Sequence, residues 1–493
     1  TIEVSRNWEV VTLTRVRTRF APSPTGYMHI GNLRTALYAY LFAKANGGDF
    51  LLRIEDTDRA RYVADAVDFI KRTLAEANIL PDEGPDIGGD CGPYVQSERQ
   101  EIYKRHAEDL VAKGFAYRCF CAPDEGRTDE SFSSYDRRCR DLDRATVQKR
   151  LDAGESYVIR QKMPFSGSTT FHDVIHGNIT IENSELEDQI LVKRDGMPTY
   201  NFANVVDDHL MGITHIIRGT EFITSTPKYV LLYQSFGWDV PVFVHLSPVM
   251  GRNEDGSVSK LSKRHGATSF AELIAMGYLP EAITNYVALL GWSPKSNQEL
   301  FSMDELIKNF SLEGLSKSPA VFDYAKLDWF NGEYFKAMTD FTFAKASRPF
   351  AGELPEELSK KWLYAAGLLR PRVSRYGEIP AQIAFFRELP AYDAELFLNK
   401  RNKVTKETAS EVLSAALTEL VKIPDWTPYA LDSTLAGIAV NLALKTGAVM
   451  WPLRIALSGQ KVTPGGVTEI LYLLGADESI KRLEQGLVKL QKM

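Results

Sequence analysis

Cysteine is scarce. Four residues among 493 are too few for a disulfide framework in a chain of this length. No apolar run approaches the ~20 residues of a helical membrane span, so no membrane partner is expected. The first fourteen residues, TIEVSRNWEVVTLT, read as an N-terminal extension. They lack a basic stretch followed by an apolar core, so no secretory signal is expected, and a reducing, cytoplasmic setting follows. Neither sign of charge dominates. A net charge of −6 gives no overall basic footprint for coating nucleic acid indiscriminately; DNA is not an expected partner, although a local basic groove is not excluded. No P-loop and no G-x-G-x-x-G fingerprint is present to claim a nucleotide. Internal repeats and low-complexity tracts are absent as well.

What is present suits a globular protein. Hydrophobic residues make up 44% of the chain, ample for packed cores, and the length suggests about three domains. VRTRFA (16–21) reads as a strand followed by the Pro/Gly-punctuated loop SPTGYMHIGN. A helix is expected from Asn32, a good N-cap residue, with Leu33, Leu37, Leu41 and Ala45 on one face and Asn46-Gly47-Gly48 ending it. Residues 50–56 form a second strand and 63–77 an amphipathic helix, so the rhythm is that of a parallel α/β sheet. Residues 95–204 interrupt it as an inserted domain would. The sheet resumes at 215–221, with a helix after Pro227 and a strand at 241–247. From about Ser269 helical patterns dominate, punctuated by Pro349, Pro371, Pro380, Pro424 and Pro452.

The expected organisation is therefore a catalytic α/β domain split into 15–94 and 205–268, an insertion at 95–204, a helical segment at 269–330 and an all-α region at 331–493. That last region carries 21 Lys and Arg against 18 Asp and Glu, a net of +3, while the rest of the chain is at −9. So small an excess fits a nucleic-acid surface or a solvated helical face equally well.

Two elements carry chemistry. Pro22-Ser23-Pro24-Thr25-Gly26-Tyr27-Met28-His29-Ile30-Gly31-Asn32 lies between a strand and a helix, where free N–H groups and the positive end of the helix dipole suit a phosphate. Far downstream stands Lys260-Leu261-Ser262-Lys263-Arg264. A lone loop histidine is more often structural, and a Lys/Arg cluster is usually solvated surface. Each is weak by itself; their joint occurrence in this order is not.

From about Val16 to near the C-terminus the chain resembles the bacterial glutamyl-tRNA synthetases. His29-Ile30-Gly31-Asn32 looks like the first class I signature, with Asn in its last place, and Lys260 to Arg264 looks like the second. Arg19-Phe20-Ala21-Pro22-Ser23-Pro24-Thr25-Gly26, Arg53-Ile54-Glu55-Asp56-Thr57-Asp58 and Asn204-Val205-Val206-Asp207-Asp208-His209 are longer and more specific matches. The resemblance implies a class I Rossmann-like catalytic domain with an inserted domain that binds the tRNA acceptor end, then a stem-contact segment and an all-α anticodon-binding half. It implies ATP with Mg²⁺, L-glutamate and tRNA-Glu as partners; a monomer is the default expectation.

By the same resemblance His29, Lys260 and Lys263 stabilise charge on the reacting phosphates, as electrostatic rather than acid–base catalysts. Gly31, Asn32, Glu221 and Lys263 bind ATP. Arg19 and Arg218 are the carboxylate partners of glutamate, Glu55 accepts from its α-ammonium, and Ala21, Ser23 and Tyr200 complete the pocket. Without the family, Arg53-Ile54-Glu55 reads equally well as a structural ion pair.

Cys119-Phe120-Cys121, with Cys139, resembles a zinc-binding region of some family members. The fourth ligand is either Tyr135 or Asp141, where those members place Tyr or His; the alternative is a metal-free remnant packed by its thiols. In the helical half Arg372, Arg454, Thr463 and Pro464 resemble anticodon-contacting positions, against a bland reading of Pro-initiated helices with solvated arginines. A glutaminyl-tRNA synthetase would instead carry β-barrels in this half, and the shorter paralogue that glutamylates queuosine on tRNA would lack it. Whether tRNA-Gln is also charged is left open by the sequence.

Overall fold

The computed structural model describes residues 15–58, 61–121 and 135–493; the expected N-terminal extension lies outside them. Strand β1 (Arg17–Phe20) leads through the Pro/Gly loop into α1 (Ile30–Ala45). The helix starts two residues before the expected Asn32. His29 is the N-cap: its backbone is extended and its ring Nδ1 accepts the Gly31 N–H at 3.2 Å, the duty an Asn side chain would have performed. Asn32 thus sits inside the first turn.

The chain then returns as β2 (Asp49–Leu52), parallel to β1 with Arg17 opposite Asp49 and Phe20 opposite Leu52. Gly48 makes this entry possible, because a Cβ there would lie 2.0 Å from the Val16 carbonyl oxygen.

Further along come α2 (Ala66–Glu76), α3 (Gln100–Ala112), β3 (Ala116–Cys119), α4 (Arg144–Asp152), β4 (Val158–Gln161), β5 (Ser168–Asp173), β6 (Gly177–Glu182) and β7 (Ile190–Val192). They are followed by α5 (Tyr200–Leu210), β8 (His215–Gly219), α6 (Thr226–Phe236), β9 (Val242–Leu246), β10 (Val249–Arg252) and β11 (Val258–Lys260). Strands β8 and β9 run parallel, and Thr214 ties them to β1–β2: its N–H donates to the Arg17 carbonyl at 2.9 Å and its hydroxyl accepts the Arg17 N–H at 2.9 Å.

Part of the segment expected as a separate insertion joins this central layer. Strands β3, β4 and β7 do form their own antiparallel sheet, but β5 pairs in parallel with β9 and antiparallel with β6, in the order β6-β5-β9-β8. The alternation along β5 explains it. Thr169, Phe171 and Asp173 face inward while Ser168, Thr170 and His172 face out, a period-2 pattern with one face to bury.

The described residues up to Leu273, with Ile283–Asp323, form one compact unit; Ile274–Ala282 with Tyr324–Met493 form a second. Between β11 and the short β12 (Ala320–Phe322) stand α7 (Phe270–Ala275), α8 (Pro280–Ala288) and α9 (Met303–Asn309). From Tyr324 onward the second unit is helical, with no strand among the described residues: α10 (Tyr324–Ala337), α11 (Asp340–Ala351), α12 (Glu356–Lys360), α13 (Trp362–Leu369), α14 (Ile379–Arg387), α15 (Lys406–Leu420), α16 (Pro428–Asn441), α17 (Thr446–Ser458), α18 (Val467–Leu474) and α19 (Ala476–Gln491). One continuous apolar core, including Leu413, Leu453, Leu471 and Leu483, runs through it.

Not every proline breaks a helix as expected. Pro380 opens α14, but Pro349 and Pro452 lie inside α11 and α17. A mid-helix proline forfeits one backbone hydrogen bond and strains the preceding turn. In α17 the burial of Val449, Leu453 and Ala456 around Pro452 offsets that cost. No helix among the described residues is long and apolar enough to cross a membrane.

Candidate active site

The carboxyl ends of β1 and β8 and the N-terminus of α1 open onto a cavity of about 270 Å³, the place where parallel α/β sheets bind ligands. Of the residues singled out in the sequence, Arg19, Ala21, Ser23, His29, Gly31, Asn32, Tyr200, Arg218, Glu221 and Lys260 all line it. Two distant segments meet here through the backbone: the Ile30 N–H donates to the Thr268 carbonyl at 2.8 Å, and His29 bridges to Ser269. The loop after β11 is thereby held against the start of α1. Lys263 opens a 3₁₀ turn in that loop (Lys263–His265); its side chain lies outside the described residues.

His29 accepts the Gly31 N–H through Nδ1, so in the neutral ring Nε2 carries the proton and acts as a donor. Desolvation, followed by the nearby Lys260 charge, lowers the His29 pKa from its ordinary value, which keeps the ring neutral near pH 7. A Cβ at Gly31 would crowd the His29 ring, 3.1 Å from Cε1. The α1 N-terminus, the His29 Nε2–H and Lys260 together make a donor-rich, positively polarised wall.

The opposite wall rests on buried arginines. Arg19 makes a bidentate pair with Asp208 of α5, Nε to Oδ1 at 3.0 Å and Nη2 to Oδ2 at 3.2 Å. Arg53 bridges Asp208 Oδ1 at 2.7 Å and Glu55 Oε1 at 2.8 Å. Burial opposes ionisation of Asp208, but Arg19 and Arg53 overcome it and hold its pKa below the usual carboxylate range. Arg19 Nη1 keeps no partner among the described residues.

Glu55 does not line the cavity. It sits in the ion pair with Arg53, the structural reading of Arg53-Ile54-Glu55; burial raises its pKa and its Oε2 lacks a hydrogen bond. Asn204 Nδ2 is also buried without a partner. Asn204, Asp207 and Asp208 are buried together on α5, beyond what their place in a sequence motif shows. The signal that marks them, buried polar groups on one face of α5, needs the fold.

Two further groups stand apart. Arg372, Arg454, Thr463 and Pro464 line one cavity of about 330 Å³ in the helical unit. The bland reading of a Pro-initiated helix does not hold at Arg372: α13 ends at Leu369, and the Arg372 N–H closes a turn onto the Leu369 carbonyl at 2.8 Å. Thr463 is buried, donating to the Gly465 carbonyl at 2.6 Å. Arg454 Nε is buried without a partner, and burial together with the Arg372 charge lowers its pKa.

At the end of β3 the sulfurs of Cys119, Cys121 and Cys139 lie within 4.8 Å of one another, with Cys121 and Cys139 3.5 Å apart. Tyr135 Oη is 3.1 Å from Cys119 Sγ. Thiolates on one tetrahedral zinc stand about 3.8 Å apart, given Zn–S near 2.3 Å, so the donor set fits that ion. Asp141 turns away: its side chain is 81% exposed and faces Lys162 at 3.7 Å.

Comparison with known proteins shows what the chain is similar to. Residues 15–329 match a family described as tRNA synthetases class I (E and Q), catalytic domain, and residues 342–487 match one described as an anticodon binding domain. The glutamate–tRNA ligase of Clostridium kluyveri is 49% identical over 488 residues, 97% of this chain and 99% of that protein; the enzyme of Clostridium novyi is 49% identical over 483. Among solved structures, a glutamate–tRNA ligase from Elizabethkingia meningosepticum, crystallised with its amino acid, superposes with a TM-score of 0.85 at 36% identity, covering 97% of this chain and all of that one. With both halves of the chain matched by these models and relatives, the chain belongs to the glutamate–tRNA ligase family of class I aminoacyl-tRNA synthetases.

Proposed function

We propose that this chain activates L-glutamate with ATP–Mg²⁺ to glutamyl-adenylate and transfers it to the 3′-terminal adenosine of tRNA-Glu. The observation that carries the reading is the two-sided cavity, with a donor-rich helix N-terminus on one wall and the Arg19 and Arg218 guanidinium groups on the other. The glutamate α-carboxylate attacks the ATP α-phosphorus, the bond to the bridging oxygen breaks, and pyrophosphate leaves. This step needs in-line positioning and charge neutralisation more than a protein base. His29 Nε2–H, Lys260 and Lys263 stabilise the charge on the phosphates, and Gly31, Asn32 and Glu221 seat the nucleotide. Arg19 and Arg218 take the carboxylates of glutamate, with Ala21, Ser23 and Tyr200 around it. Glu55, set behind the cavity in its pair with Arg53, supports this arginine wall, and contact with the α-ammonium would need its orphaned Oε2 to turn toward the substrate. Neutral glutamine would leave an arginine uncompensated in a buried site and so be rejected.

The cavity holding Arg372, Arg454, Thr463 and Pro464 supports anticodon reading, since unstacked loop bases are recognised at their edges by such groups. A structural Zn²⁺ held by Cys119, Cys121, Cys139 and Tyr135 would brace the inserted sheet at β3; the position of Asp141 favours Tyr135 as the fourth ligand. A monomer acting in the cytoplasm is the simplest form of the proposal.

The test is glutamate-dependent ATP–pyrophosphate exchange with tRNA-Glu present, followed by aminoacylation of tRNA-Glu and tRNA-Gln side by side. Exchange driven equally by glutamine, or no charging of tRNA-Glu, would overturn the reading.

A further inference from the structure

Behind the cavity three buried side chains from three strands form a line: Asp173 at the end of β5, His245 in β9 and Arg218 in β8, exposed by 0%, 0% and 5%. Asp173 Oδ2 lies 2.7 Å from His245 Nδ1 and also accepts the His245 backbone N–H at 3.0 Å. Its other oxygen accepts the N–H groups of Ile175 and His176, each at 2.9 Å. An ionised carboxylate only accepts, so the ring proton of His245 sits on Nδ1 and the lone pair on Nε2. That Nε2 lies 3.1 Å from Arg218 Nε, which only donates. The hydrogen-bond direction is therefore the same along the whole line, from Arg218 through His245 to Asp173.

A second anchor holds the neighbouring nitrogen. Thr226 Oγ1 gives its proton to the Phe222 carbonyl at 2.8 Å and accepts from Arg218 Nη2 at 3.0 Å. The guanidinium carbon packs 5.0, 4.7 and 5.7 Å from the ring centres of Phe222, Tyr229 and Phe243. Nε and Nη2 are thus held from behind, while Nη1 has no hydrogen-bond partner among the described residues.

We propose that Asp173 and His245 are positioning residues for glutamate recognition: Asp173 locks the Nδ1–H form of His245, whose Nε2 then fixes the plane of Arg218 for a substrate carboxylate. The proposal rests on the assignment of Arg218 to a glutamate carboxylate. A free arginine side chain must lose rotamer entropy on binding, and a guanidinium already held by two acceptors has little left to lose.

The line is also sensitive to acid. Around His245 stand Asp173, Arg218, Thr226, the His176 ring (Nε2 3.0 Å from the His245 carbonyl) and the Phe171 and Phe243 rings. Burial, with Arg218 and His176, outweighs Asp173 and lowers the His245 pKa. Nε2 therefore stays unprotonated at neutral pH and keeps accepting from Arg218 Nε. Protonation on acidification turns it into a donor facing another donor, and Arg218 loses its hold.

The experiment is pyrophosphate exchange with the full chain and tRNA-Glu, reading the KM for glutamate and for ATP separately. His245→Asn keeps a donor for Asp173 but leaves no acceptor at Arg218; His245→Gln restores an oxygen near the Nε2 position. The Asn variant is expected to raise the glutamate KM roughly 10- to 100-fold, the scale of one hydrogen bond to a charged group, with the ATP KM little changed. The Gln variant should stay within about threefold of the parent and lack the parent's rise in glutamate KM on acidification, which sets in only below the ordinary histidine range because the His245 pKa is lowered.

Arg218→Ala separates the two readings. An unchanged glutamate KM in that variant sinks the Arg218 assignment and the proposal with it. A raised KM there, with Asn and Gln variants alike, overturns positioning alone. Should both His245 variants fail to fold, Thr226→Val decides: a glutamate KM several-fold higher supports the anchored arginine, and an unchanged one refutes it.

Discussion

The chemistry of the cavity is set by pairs of residues that tune one another. Desolvation and, after it, the Lys260 charge lower the His29 pKa, so Lys260→Ala should raise it in part, a change readable by NMR titration of the ring; a fall or no change would separate Lys260 from His29. The same variant, and Lys263→Ala by its place in the second signature, should slow adenylate formation roughly 100- to 10,000-fold with the fold intact, as expected when a preorganised charge is removed from a phosphoryl-transfer site. Asp208 has the opposite character, serving buried arginines rather than substrate. Asp208→Ala leaves Arg19 and Arg53 facing each other without their shared anion, and chemical denaturation should find the protein about 3–5 kcal/mol less stable. A loss under about 1 kcal/mol would mean that water or Glu55 takes over the pairing.

At the scale of elements, loops and turns place the recognition groups. Arg372 is fixed by the turn that follows α13, and Arg454 projects from α17 into the same cavity. Arg372→Gln should narrow the preference for tRNA-Glu over tRNA-Gln by about 1–3 kcal/mol, by analogy with base-edge readout, while glutamate activation stays near normal. Equal loss of affinity for both tRNAs would make Arg372 a phosphate anchor, with Arg454 the next candidate reader. The three-cysteine corner at β3 makes a separate prediction: protein dialysed against a mild chelator should retain about one equivalent of zinc, and Tyr135→Phe should weaken that retention while Asp141→Asn does not. Less than about a tenth of an equivalent in the parent would leave a thiol-packed remnant.

Over the whole molecule, the two units do not share an apolar core: one continuous cluster fills the helical unit, and several smaller ones fill the other. The apolar core of the helical unit is built from residues 335–490 with Leu279 and Ala282 from the 274–282 segment. A fragment of residues 324–493 should therefore fold cooperatively by circular dichroism but melt below the same fragment with 274–282 restored. Losing two buried aliphatic side chains costs on the order of 2–5 kcal/mol. A non-cooperative melt for the shorter fragment would show that the segment is needed to complete the core rather than to strengthen it.

Local signals in the sequence determined much of this protein. The strand–loop–helix at 17–45, the Asn-Gly-Gly stop and the helical second half follow from periodicity, turn chemistry and short-range spacing, which act between neighbours, while the motif residues around His29 and Lys260 were legible through the family resemblance. Tertiary structure alone decided that Asp208 would neutralise Arg19 across 189 positions, that β5 and β6 would leave the insertion for the central sheet, and that Asp173 and His245 would stand behind Arg218. It also moved the helix cap from Asn32 to His29 and kept Pro452 inside α17, where packing outweighs backbone preference. The physical reason is common to all of these. A buried charge or a half-buried strand face must find its partner wherever the fold brings one, and that choice is made by burial over long chain distances, which no local pattern records.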